Sequence, residues 1–182
     1  MAIRKILQYP EQEVLLRKPS AKVAKVDKPI RRLIQDLKET LADHGGGAGL
    51  AAPQIGVHVR VTIVQFGQDE NNIQPPLALI NPEITAAGEL RPGFDGCLSI
   101  PGLATWDTPR PETLTFTALD EKGQSFEMEV RGADARLVHH EIDHLDGILY
   151  LDRLEDLSKL YRRIQTQKGE KWVSLDVLKP SL

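Results

Sequence analysis

The chain has 182 residues, 41% of them hydrophobic and 27% charged, with a formal net charge of −3. That length and balance suit one globular domain and exclude both a disordered chain and one held to DNA by net positive charge. No apolar run approaches the roughly 20 residues of a membrane span, the first residues lack a continuous apolar signal core, and the lone Cys97 permits no internal disulfide, so the expected setting is the cytoplasm.

In chain order, the first predicted element is a helix from about Lys28 to Asp43. Ile30, Leu33, Ile34, Leu37 and Leu41 recur on one face, and Pro29 suits the first turn. Gly45, Gly46 and Gly47 must end it. Val57 to Phe66 alternates apolar and polar residues and predicts a strand with one wet and one dry face. A polar loop, GQDENNIQPP, leads to a shorter strand from Leu77 to Asn81, stopped by Pro82. Thr113 to Leu119 and Ser125 to Val130 alternate around Asp120–Gly123 and predict a hairpin. A second helix runs from Asp134, as N-cap, to Asp146, with Gly147 ending it. A third, amphipathic helix is predicted from about Leu154 to Thr166, with Leu157, Leu160, Tyr161 and Ile164 on one stripe. Trp172 to Leu175 could add an edge strand. The expected class is α+β: antiparallel strands around a central helix, with an N-terminal and a C-terminal helix and a tail from about residue 166.

Chemistry concentrates on the second helix. His140-Glu141-Ile142-Asp143-His144 places two imidazoles four residues apart, one above the other on a helix face, where both can reach one cation. Glu141 lies about 100° round, able to reach a water on that cation without ligating it. A polar helix face also produces this spacing, and His139 with Asp143 is a competing pair, read here as structural support. Cys97 offers a thiolate, a good ligand for borderline metals, though a lone cysteine also serves as a small buried hydrophobe. Gly45 to Gly56 is rich in small residues whose exposed N–H groups can pair with an extended peptide, or it is simply a hinge. Gln54 is its one strong side-chain donor.

Together and in this order, the three segments resemble the motif boxes of the peptide deformylase family. Gly47, Gly49, Leu50, Ala51, Ala52, Gln54 and Gly56 match the first box. Gly96, Cys97, Leu98 and Ser99 match the second, and His140, Glu141, Asp143, His144 and Leu145 the third. The resemblance runs from about Ile6 to Arg153. It implies removal of the formyl group from the N-terminal formyl-methionine of nascent polypeptides, with release of formate. It implies one divalent metal held by Cys97, His140 and His144 with water in the fourth position. Fe2+ is the usual ion in the cell, and Zn2+ or Ni2+ can substitute. Glu141 would be the general base, and the Gln54 amide and Leu98 backbone N–H would stabilise the oxyanion. Gly47, Ala48, Gly49, Leu50 and Leu137 would receive the substrate.

Three departures from the family pattern bear on efficiency and substrate preference. Asp95 stands where glutamate is usual, with Arg110 as its expected partner. His139 stands where glutamine is usual, and residues 102–107 lack a common basic residue. They leave room for an alternative, a deformylase-like amidohydrolase for another N-formyl substrate. The resemblance also implies a ribosome approach through the C-terminal segment. There Lys159, Arg162, Arg163, Lys168 and Lys171 would make a basic helix, or merely a solvated face. A monomer is expected.

Overall fold

The computed structural model describes residues 2–67, 74–166 and 169–175. One turn of helix, α1 (Glu13–Leu16), precedes α2 (Lys28–His44). Asp27 caps α2, its side chain accepting a hydrogen bond from the Ile30 N–H at 3.1 Å, and Gly45 at φ +69° ends it. The predicted stripe is the buried one: Leu33, Ile34, Leu37 and Leu41 join Leu50, Ile63 and Ile80 in one core cluster.

The strands before the second long helix are β1 (Gly49–Ala51), β2 (Val61–Val64), β3 (Leu77–Ala87), β4 (Leu90–Arg91), β5 (Asp95–Cys97), β6 (Ile100–Thr105), β7 (Arg110–Pro111), β8 (Thr113–Leu119) and β9 (Ser125–Arg131). Helix α3 (Gly132–Asp146) follows, and then β10 (Leu160–Thr166) and β11 (Gly169–Ser174). A five-stranded antiparallel sheet has the order β1-β2-β3-β8-β9, and a four-stranded one the order β11-β10-β6-β5. Thus β1 and β5, which carry the first two motifs, are both edge strands. Helix α3 packs against β1, β2, β7 and β9, burying Ala135, Val138 and Ile142 with Leu79, Leu114 and Phe116. The class is α+β, as expected.

Four expectations need correction. The strand at Val57 to Phe66 shrinks to β2, and it has no wet face. All four residues are buried, Thr62 included, because α3 covers the side expected to meet water. Pro82 does not stop β3. The register shifts between Ile80 and Glu83, and Asn81 (φ +51°) binds the Val23 backbone there through its side chain, so proline sits at a bulge where no ladder donor is required. Helix α3 begins at Gly132 with Arg131 as N-cap, which puts Asp134 inside the first turn.

The fourth concerns the C-terminal helix, which does not form. Leu157–Lys159 is a single 3-10 turn, and Leu160 onward is β10, paired with β6 on one side and β11 on the other. A short isolated amphipathic helix is marginal, whereas Tyr161, Ile164, Thr166, Trp172 and Val173 favour a half-buried sheet. The predicted edge strand does form, as β11. The basic residues Arg162, Arg163 and Lys171 therefore lie on a hairpin rather than a helix. Lys168, the polar loop residues 68–73 and the tail beyond residue 175 lie outside the described residues.

Candidate metal centre

Three motifs distant in sequence converge between the two sheet edges. Helix α3 projects His140 and His144 from successive turns, with ring centroids 4.8 Å apart. Strand β5 ends at Cys97, whose Sγ lies 3.1 Å from His144 Nε2. Donor atoms of Cys97, His140 and His144 all fall within 4.8 Å of one another, the one such cluster among the described residues. Burial pushes the Cys97 thiol up, but the charges and hydrogen bonds of His144 and His140 outweigh it and bring the thiol down to about 5. Burial equally disfavours a charged His140, yet Asp95 and Cys97 raise it well above the usual range. The site is therefore predisposed to a thiolate, and soft sulfur with two imidazoles is a donor set for iron, nickel or zinc.

Asp95 Oδ1 lies 2.7 Å from His140 Nδ1, which commits that nitrogen to the carboxylate and leaves Nε2 for a cation. The same carboxylate accepts from Arg110 Nε at 2.6 Å. Arg110, 1% exposed, also donates to Asp143 Oδ2 at 2.8 Å and to His139 Nδ1 at 2.6 Å. Since the guanidinium can only donate, His139 accepts and is neutral. Burial, reinforced by Arg110 and Arg153 against the pull of Asp143, takes its imidazole down to about 4. The shorter Asp95 thus still reaches both Arg110 and His140. Asp143 is instead engaged by Arg110 and by a bidentate Arg153 (2.6 and 2.5 Å), outside the cluster of Cys97, His140 and His144.

Glu141 is buried beside the cluster. Burial raises its carboxyl above the ordinary range despite His140, His144 and a 2.9 Å hydrogen bond from Thr62 Oγ1. It fills the space beside Gly49, where a Cβ would stand 2.5 Å from Oε1. Gln54 is fixed through both ends of its amide. Oε1 accepts from the Ala51 N–H at 2.8 Å, while Nε2 donates to Ser99 Oγ at 3.1 Å and points at Cys97 Sγ, 3.5 Å away. Leu98 packs over Gly47. The Leu50 side chain is wholly in the core, so only its backbone can meet a substrate. Leu137 is half-buried against the cluster under α3.

Sequence reasoning missed Thr62, Ser99, Arg153 and Tyr150. The first three hold Glu141, Gln54 and Asp143, and Tyr150 stacks near His140 with centroids 6.5 Å apart. Only Ser99 carried a signal, as a member of the second motif.

A sheet-edge thiol, two helix imidazoles and an adjacent buried carboxylate define a metal-dependent hydrolase of the HExxH class. Comparison with known proteins narrows the class. The family model for polypeptide deformylase matches residues 3–160. The peptide deformylase of Alkalilimnicola ehrlichii is 45% identical over 168 residues, covering 92% of this chain and 91% of its own. The crystal structure of a peptide deformylase from Legionella pneumophila superposes with a TM-score of 0.75 at 39% identity, covering 86% of this chain and 88% of that one. A class I type b peptide deformylase from Acinetobacter baumannii, solved with Met-Ala-Ser bound, gives 0.76 at 28% identity, covering 84% and 99%. The chain belongs to the polypeptide deformylase family, metal-dependent hydrolases that remove the N-formyl group from nascent peptides.

Proposed function

We propose that Cys97, His140 and His144 hold one divalent ion, Fe2+ in the cell with Zn2+ or Ni2+ able to replace it, and that Glu141, Gln54 and the Leu98 N–H act on the formyl-methionyl end of the substrate. The single observation that carries this is the meeting of the Cys97 thiol with two imidazoles beside a buried glutamate. A bound ion supplies Lewis acidity, which brings the pKa of water toward about 7. Glu141, its carboxyl raised by burial, takes a proton from water as the oxygen adds to the formyl carbon. It returns that proton to the methionine nitrogen as the C–N bond breaks and formate leaves. One Gln54 N–H is spent on Ser99, and the other points into the site toward Cys97, where it can meet the oxyanion together with the Leu98 N–H.

The substrate chain would lie extended between the free edges of β1 and β5, with Gly47, Ala48, Gly49 and Leu50 giving backbone contacts and Leu137 lining the methionine pocket. Asp95, Arg110, His139 and Asp143 hold His140 in orientation. We take the chain to work as one catalytic domain and as a monomer in the cytoplasm. No helix among the described residues is long and apolar enough to cross a membrane, and a net charge of −3 gives no purchase on DNA.

Formate release from formyl-Met-Ala-Ser by protein loaded anaerobically with Fe2+, with metal content measured in parallel, tests the reading. Glu141→Gln should keep its metal and lose about 10²–10⁴ in kcat. Loaded protein that releases no formate from the peptide overturns the assignment, and release only from a small non-peptide N-formyl amine favours the alternative substrate.

A further inference from the structure

We propose that Thr62 is a positioning residue for the hydrolysis: its hydroxyl fixes the Glu141 carboxylate through Oε2 and leaves Oε1 as the oxygen that carries the proton. This rests on the reading of Glu141 as the base given above and deepens it.

Strand β2 reads Val61-Thr62-Ile63-Val64, and all four residues are buried. Valine would fill the second place as well as threonine does, and a hydroxyl taken out of water is a cost unless it finds a partner. Thr62 is 0% exposed and Glu141 3%. The Thr62 Oγ1 has one proton to give and three acceptors in reach. They are Glu141 Oε2 at 2.9 Å, the Leu50 carbonyl at 3.1 Å and the Ile63 carbonyl at 3.4 Å. The carboxylate is the nearest of the three and, when ionised, the one that carries charge, so the proton goes to it. Among the described residues no other group donates to the Glu141 side chain.

Threonine suits this task because its position is rigid. Its β-branched side chain is stiff about χ1, and its backbone is held in the sheet between Ala51 of β1 and Leu79 of β3. The last torsion of a glutamate, in contrast, is broad. One hydrogen bond to Oε2 therefore sets the plane of the carboxylate and with it the direction of Oε1. That direction is toward β1, where a Cβ on Gly49 would stand 2.5 Å from Oε1. Strand β1 is an edge strand, and its free edge is where the substrate backbone would lie. Water gives a proton to Oε1 as its oxygen adds to the formyl carbon, and Oε1 returns that proton to the methionine nitrogen as the C–N bond breaks. Oε2 keeps its bond to Thr62 throughout, so the base needs no reorientation between the two transfers.

The test is steady-state hydrolysis of formyl-Met-Ala-Ser by metal-loaded wild type, Thr62→Val, Thr62→Ala, Thr62→Ser, Glu141→Gln and the double variant Thr62→Val with Glu141→Gln, with rates expressed per bound metal. Thr62→Val keeps the shape and removes the O–H. Its kcat should fall about tenfold with KM within about twofold, and Thr62→Ala, a second way to remove the hydroxyl, should match it. Thr62→Ser restores the donor and should come within about threefold of wild type. On the Glu141→Gln background the valine should cost less than about twofold, because a residue that acts only through the base has no effect once the base is gone. Zn2+ affinity, titrated on the metal-free protein, should agree within about twofold between Thr62→Val and wild type. An undiminished kcat in Thr62→Val, an equal loss in Thr62→Ser, a full loss on the Glu141→Gln background or a parallel loss of Zn2+ affinity overturns the positioning role and leaves the deformylase reading intact. Glu141→Gln as active as wild type removes the base and the role of Thr62 with it. Absence of formate with wild type overturns the deformylase reading itself.

Discussion

Gly49 has no side chain because Glu141 occupies the place where one would stand, with the carboxylate 2.5 Å from a would-be Cβ. Gly49→Ala should therefore displace the Glu141 carboxylate, which we propose as the base, and cost about 10² in kcat, since misplacing a reacting group by ~1 Å has that effect. Metal content, measured on the purified variant, should be unchanged. His139 makes a different prediction, one of stability. Its imidazole is held neutral down to about pH 4 as acceptor for Arg110, whereas unfolding returns it to about 6.5. Between those values the unfolded chain binds the extra proton, so stability falls as pH drops from about 6.5 to 4, by at most roughly 3 kcal/mol, and is flat in this respect below. Urea unfolding of His139→Gln, which keeps an acceptor but cannot titrate, should show that part of the slope removed.

At the scale of elements, the helix that carries His140 and His144 depends on how it ends. Gly147 closes α3 at φ +76°, and a Cβ there would meet the Arg17 carbonyl oxygen at 2.3 Å. Gly147→Ala combines a left-handed strain of about 1–2 kcal/mol with a backbone clash. It should lower the thermal midpoint by more than 5 °C and loosen metal retention, which a chelator challenge would read. The two long helices were legible because their stripes and terminal glycines agree with the burial they reach: α2 came out within a residue or two at both ends. The C-terminal segment was misread because four apolar residues at helical spacing can also serve a strand. Pairing with β6, about 60 positions away in sequence, decided between them.

Across the whole molecule, α3 lies between two antiparallel sheets and holds the free edges β1 and β5 on either side of the thiol and imidazoles. The C-terminal hairpin extends the β5 sheet outward and presents Arg162 and Lys171 on its exposed surface. We propose that this hairpin approaches the anionic ribosome, where the enzyme's substrates emerge. Arg162→Glu combined with Lys171→Glu should then lower co-sedimentation with ribosomes at low salt several-fold while leaving formate release from a tripeptide untouched. Equal co-sedimentation of variant and wild type would remove the idea.

The order of three short motifs pointed, through their resemblance to the family's boxes, to Cys97, His140, His144, Glu141 and Gln54, while spacing by itself placed only the two imidazoles on one helix face. The expected link from Asp95 to Arg110 was also readable, and it is present at 2.6 Å. Only the tertiary structure decided that Thr62 faces Glu141 instead of water, that Arg153 clamps Asp143, and that Phe94 and Trp106 share a face. Those contacts span from 10 to 79 residues of chain. They exist because burial against α3 and strand register override local alternation, and neither is written in any one stretch of sequence.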